Sequence, residues 1–176
     1  YKSPEYLSKY GCLYNFSAAM DVTDDAGSYE YPHQGICPEG WHIPTDAEWE
    51  NMFVNAGVTR EPTVGDLQYF NEGVGNVTGG ADWEVCDEML TCPGDYSYSQ
   101  RNSSGFAALP AGVYMEEDYL ATGIGTGFWS STLTSHESPN FWDIIIAELT
   151  ESEGSVHNEV NGRSTGLSVR CVRDPE

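Results

Sequence analysis

Residues 37–53, CPEGWHIPTDAEWENMF, constrain the fold more than any other stretch of this chain. Thr45 stands where a helix N-cap belongs. Glu48, three residues on, completes a capping box that satisfies two otherwise orphaned N–H groups. Trp49, Met52, Phe53 and Ala56 recur at helical spacing, and Gly57 suits the position after the C-cap. A helix with a wide aromatic face is therefore expected, packed on a core. Directly ahead of it stand a cysteine and a Cys-Pro-x-Gly-Trp-His turn, and the fate of that cysteine decides much of the rest.

There are five cysteines: Cys12, Cys37, Cys86, Cys92 and Cys171. A zinc site needs close CxxC or HxxxH pairs, and neither occurs. Disulfides, which persist in oxidising compartments, are favoured over metal or catalytic thiols. Five is odd, so at least one thiol is free, bonded to another chain, or paired with a segment outside this sequence. The chain opens YKSPEYL, which reads as a mature or trimmed piece, with any signal, lipid anchor or stalk expected outside it. At 176 residues it suits one domain with a single core. Seven Lys and Arg against 28 Asp and Glu give a formal charge of −21. Nucleic acid and anionic membrane surfaces would be repelled, whereas divalent cations would be attracted. No apolar run is long enough to cross a membrane.

Along the chain, GCLYNFSAAM (11–20) is apolar and aromatic and reads as a strand, followed by the polar loop DVTDDAGSYEYPHQG. Residues 58–104 have weak periodicity and frequent glycine, with a short helix expected near 66–71. From Gly105 the pattern turns to β: GFAALPAGVY, GFWSST, NFWDIIIAEL and GLSVRCVRD read as strands between turn formers. Strand, helix, loops and then several strands argue for an α+β fold with antiparallel sheet.

Four segments in this order, YGCLYNFSAAMD (10–21), CPEGWHIPTDAEWENM (37–52), GFAALPAGVY with GFWSST (105–132) and GLSVRCVRD (166–174), resemble the Fibrobacter succinogenes major paralogous domain of bacterial surface proteins. The likeness spans nearly the whole chain. It implies the C-type-lectin-like fold of formylglycine-generating enzymes, whose helix start is similar to LPT-x-AEWE. It also implies a long-range disulfide from Cys37 to Cys171, tying the first-helix region to the last strand. With such a staple, the turn after Cys37 aims Trp41 and His42 towards the core, and Gly40 supplies the permissive backbone. The competing reading, a Cys37–His42 thiol–imidazole pair, sits poorly beside a helix start and a bonded partner. Cys86 and Cys92, in CDEMLTC, are expected to form a local disulfide. Cys12 then remains as the unpaired thiol.

Catalytic constellations are sparse. His33, His42, His136 and His157 do not have the His-x3-His-x-Glu spacing of the iron-dependent relatives, and one thiol at Cys171 cannot supply a catalytic pair. GxSxG, HExxH and P-loop motifs do not occur. Glu116 and Glu117 read as a solvated turn rather than a glycosidase dyad. The expectation is a non-enzyme that requires no cofactor. Asp21, Asp24, Asp25 and Glu30 around Gly27 are oxygen ligands of the kind that suits Ca²⁺, against the alternative of a solvated acidic loop. Glu137, Ser138, Pro139 and Asn140, then Trp142 and Asp143, depart from the sugar-binding lectin spacing, so that site is not carried over. The fold resemblance places binding in residues 132–142 and 151–166. There Asn140, Trp142, Asn158 and Asn161 offer a stacking face and amide groups to a glycan or protein. Asn15-Phe-Ser, Asn76-Val-Thr and Asn102-Ser-Ser match a glycosylation pattern that a bacterial protein carries by chance. The expected role is an exported adhesion module on a bacterial cell surface. The alternatives are a structural subunit of a surface filament, and a formylglycine-type oxidase.

Overall fold

The structure, a computed structural model, describes residues 4–23, 30–55, 68–70, 106–115, 117–123, 125–135, 142–150, 154–159 and 164–175. At 53, 68–70, 134–135, 142–150 and 154–159 it describes the backbone alone. The described residues form a mixed α+β fold of short helices and antiparallel strands. Among them, no helix is long and apolar enough to cross a membrane.

The N-terminal region is helical. Helix α1 spans Pro4–Tyr10 and α2 spans Phe16–Met20. The strand expected over 11–20 is therefore a helix for half its length. A short apolar run fits either element, and Asn15 tips the balance. Its extended backbone and its Oδ1, which accepts the Ala18 N–H at 2.9 Å, make it an N-cap. Asp21 ends the helix in the left-handed region, φ 52°. Phe16, Ala19 and Met20 face the core. Only Tyr14 keeps strand character, exchanging both backbone hydrogen bonds with Leu167 at 2.9 and 3.0 Å.

The turn after Cys37 leads to β1, Trp41–His42, and then to α3, Asp46–Asn55. Gly40 takes φ 79°, as the turn requires. The capping box forms as expected: the Thr45 N–H donates to Glu48 Oε2 at 2.8 Å, and the Glu48 N–H to Thr45 Oγ1 at 3.3 Å. Trp49 is the helix's buried anchor, its indole N–H donating to the Trp129 carbonyl at 3.3 Å. Trp41 corrects the sequence reading. It is 41% exposed, and of the pair only His42 turns inward, because adjacent residues of a strand point to opposite faces.

The remaining elements are strands: β2 Gln68–Phe70, β3 Val113–Met115, β4 Asp118–Leu120, β5 Gly125–Ser135, β6 Trp142–Thr150, β7 Gly154–Glu159 and β8 Val172–Arg173. The main sheet runs β2-β7-β6-β5, antiparallel throughout, beside a β3–β4 hairpin and a β1–β8 pair. Four expectations change. Residues 68–70, placed in a helix near 66–71, form β2. Residues 154–159, expected as loop, form β7, and residues 132–135 of the other expected loop belong to β5. GLSVRCVRD is split: 166–168 make single bridges to Tyr114, Tyr14 and Phe128, and only Val172 and Arg173 form a strand. The α+β class with antiparallel sheet stands.

The core joins α2, the 35–43 turn, β5 and the C-terminal segment through Phe16, Met20, Cys37, Ile43, Trp129 and Leu167. Gly35 lies at its rim with φ +53°, where an added Cβ would meet both the Ala19 carbonyl oxygen and Ile43 Cδ1 at 2.5 Å. Gly35→Ala is expected to cost about 1–2 kcal/mol for the left-handed backbone, plus roughly 1–3 kcal/mol for overpacking. A urea melt measures this directly. A change within a few tenths of a kcal/mol would contradict the packing described here.

Candidate functional site

The closing seam of the domain joins the segment ahead of α3 to the 171–174 segment. Cys37 and Cys171 are bonded, with Cα atoms 5.8 Å apart across a sequence separation of 134. Beside them β1 pairs with β8, Trp41 opposite Arg173 and His42 opposite Val172. The Asp174 N–H donates to the Gly40 carbonyl at 3.0 Å.

His42 is 3% exposed and spans the seam. Its Nδ1 lies 2.7 Å from Asp174 Oδ1, and its Nε2 lies 2.9 and 3.2 Å from the Glu48 oxygens. Burial pushes the imidazole pKa down. The hydrogen bonds to Asp174 and Glu48, and their charges, push it up further, so it ends above the ordinary histidine value. For Glu48, burial raises the pKa, but the Thr45 N–H, His42 and the Thr45 hydroxyl lower it more, leaving it below the ordinary value. When doubly protonated, the ring donates to a carboxylate at each end. With both nitrogens engaged, it presents no free lone pair to a substrate. The carboxylates lie on opposite sides of the ring and do not converge on a common point. Among the described residues, no group of three His, Cys, Asp or Glu could hold a metal ion.

On the outer side of the seam lies a cleft of about 180 Å³, lined by Trp49, Met52, Phe106, Glu48, Arg170 and Val172 together with Pro44 and Cys171. Trp49, Phe106 and Phe128 pack with ring centroids 5.3 to 5.7 Å apart. The Arg170 guanidinium covers the Phe106 ring at 4.4 Å and donates to the Phe106 carbonyl. The walls are apolar, with one carboxylate and one guanidinium at the rim, chemistry suited to an apolar group of side-chain size. Sequence reasoning did not assemble this cleft. Its signal was the presence of Trp49, Phe106 and Arg170 in three of the four motif segments.

The model of the Fibrobacter succinogenes major domain matches residues 1–173. The chain belongs to this family. The match takes in both sides of the seam, so Cys37, His42, Glu48 and Cys171 all lie inside the Fibrobacter succinogenes major domain. No curated protein and no solved structure matches the chain.

The residues expected to carry function in this Fibrobacter succinogenes major domain are placed as follows. Asp21 is the exposed C-cap of α2 and Glu30 is exposed, while Asp24 and Asp25 lie outside the described residues. Asn15, first in the Asn15-Phe-Ser pattern, has its side chain engaged as a cap. Cys12 is a free, exposed thiol. Cys86, Cys92, Asn140 and Asn161 lie outside the described residues. Trp142 opens β6 opposite Ser135, and Asn158 pairs with Ile145 near the end of β7.

Proposed function

We propose that this chain is a non-enzymatic binding and adhesion module, exported and displayed on a bacterial cell surface, with a C-type-lectin-like fold related to that of formylglycine-generating enzymes. The observation that carries the binding reading is the register of the main sheet. The pairs Ser135 with Trp142 and Ile144 with Glu159 set the start of β6 and the end of β7 at one end of the sheet. Trp142 and Asn158 thus both stand near this end of the sheet, and in sequence Asn140 lies two residues before Trp142 and Asn161 two after Glu159. Asn158 lies opposite Ile145, three residues from Trp142, so the two positions belong to opposite faces of the sheet. A glycan or protein ligand would therefore be gripped end-on, across the sheet's tip. A non-catalytic role is supported by the engagement of both His42 nitrogens and by the bonding of Cys37 to Cys171. The disulfide is compatible with export.

The test is a glycan and protein array probed with the wild type and with the Trp142→Ala and Asn158→Ala variants. The wild type is expected to retain a ligand that both folded variants bind at least tenfold more weakly. Equal binding by all three would remove the sheet end from the assignment. No binding at all, with the native protein recovered only as polymer, would put a structural subunit of a surface filament in its place.

A further inference from the structure

The seam is held in two ways, and only one is covalent. The disulfide fixes Cys171, but Val172 to Pro175 lie beyond it. Among the contacts that retain that short stretch are the two-residue β1–β8 ladder, the Asp174 N–H on the Gly40 carbonyl, and the Asp174 carboxylate on His42. His42 is the one side-chain partner of that carboxylate among the described residues. Glu48, on the other side of the ring, is differently placed. It also accepts the Thr45 N–H at 2.8 Å and the Thr45 hydroxyl at 3.0 Å, so it stays anchored without the imidazole.

We propose that His42, Glu48 and Asp174 form a proton-operated latch: the doubly protonated ring holds the C-terminal segment to α3, and loss of one ring proton releases Asp174 while Glu48 remains in place. A neutral imidazole has one N–H and one lone pair. It can donate to only one of two carboxylates, and the other then faces a lone pair with an uncompensated charge. Asp174, 39% exposed at its side chain, can return to water. Among the described residues, the charged groups acting on the ring are Glu48 from α3 and Asp174 from the C-terminal segment. Its own strand brings Trp41, and β8 brings Val172, which does not titrate, and Arg173, which stands opposite Trp41 and so on the other face of the ladder from His42.

The direction follows from linkage. His42 has a folded-state pKa raised above 6.5. The hold is complete below the ordinary histidine pKa and is lost as pH rises through the folded value. Val172 is a wall of the apolar cleft, so release of residues 172–175 also widens that cleft. The device is a proton-dependent gate beside an apolar site.

The oxidised, nitrogen-15-labelled protein decides the matter by NMR between pH 5.5 and 10. The His42 ring is expected to pass from doubly to singly protonated with a midpoint above 6.5. Over the same interval, the protection of the Asp174 amide, which is bonded to the Gly40 carbonyl, corrected for intrinsic exchange, should fall by up to about tenfold per pH unit and then level off. The Ile43 and Leu167 amides, bonded within the core to His33 and Tyr14, should not follow. In Asp174→Asn, a change at a half-exposed carboxylate, the ring midpoint should drop and the pH response of the tail should vanish. The latch is overturned if the ring titrates without any change in tail protection. It is equally overturned if the ring is already neutral at pH 6, or if Asp174→Asn keeps the wild-type response. The wild-type titration alone decides, whether or not the variant folds.

Discussion

Cys37→Ser is expected to lower the unfolding free energy by about 5 kcal/mol, the chain-entropy value for a loop of this size. The bond joins residues 134 apart, so reduction restores a very large number of conformations to the unfolded chain. The new hydroxyl would also stand where Cys37 is 4% exposed, among Ile43 and Leu167, and burying it without a partner adds to the loss. Domains of this size have a total stability of roughly 5–15 kcal/mol, so the loss takes from about a third to all of it. Urea melts of Cys37→Ser, Cys171→Ser and the double variant test the argument. Each single change removes the same bond, so the double should cost little more than either single. Fully additive costs would show that the two cysteines act separately.

Trp129→Ala should follow at roughly 3–5 kcal/mol for truncation of a buried aromatic residue. Trp129 is 0% exposed, its ring sits edge-on to Phe16 at 5.6 Å, and its indole N–H donates to the Tyr14 carbonyl at 2.7 Å. Its own carbonyl takes the Trp49 indole proton, so three segments meet on this one residue. Trp129→Phe separates the contributions. It keeps an aromatic ring but removes one of two donors to the Tyr14 carbonyl, which still accepts the Leu167 N–H, so loss of this bond should cost about 0.5–1.5 kcal/mol. If Trp129→Phe is as damaging as Trp129→Ala, the hydrogen bond or the ring's full volume outweighs simple burial.

Local chemistry was legible and long-range pairing was not. Thr45 and Glu48 announced the capping box because its three-residue spacing is fixed by helix geometry alone. β5 and β6 were readable because GFWSST and DIIIAEL are rich in β-branched and aromatic residues. β7, GSVHNE, carries no such pattern. It is a strand because β6 offers it a ladder, and tertiary context overrides propensity at such places. The helix α2 was misread although Asn15, a good N-cap, stood in plain view. His42 is the sharper case. Its partners lie 6 and 132 residues away, and only the β1–β8 register brings Asp174 to it. The Cys37–Cys171 bond was expected through family likeness, not from the cysteines themselves, since five cysteines permit many pairings.

The disulfide also determines how the domain would carry load. A pull between the N-terminal helices and the residues after Cys171 passes along the chain to Cys37, crosses the sulfur bridge and leaves through Val172. Everything threaded between the two cysteines, including α3 and the whole β2-β7-β6-β5 sheet, lies outside that path. Under tension the sheet would stay unloaded while the bridge holds, and extension would fall on the chain outside the two cysteines. Reduction would remove the shortcut and place the sheet in series with the force.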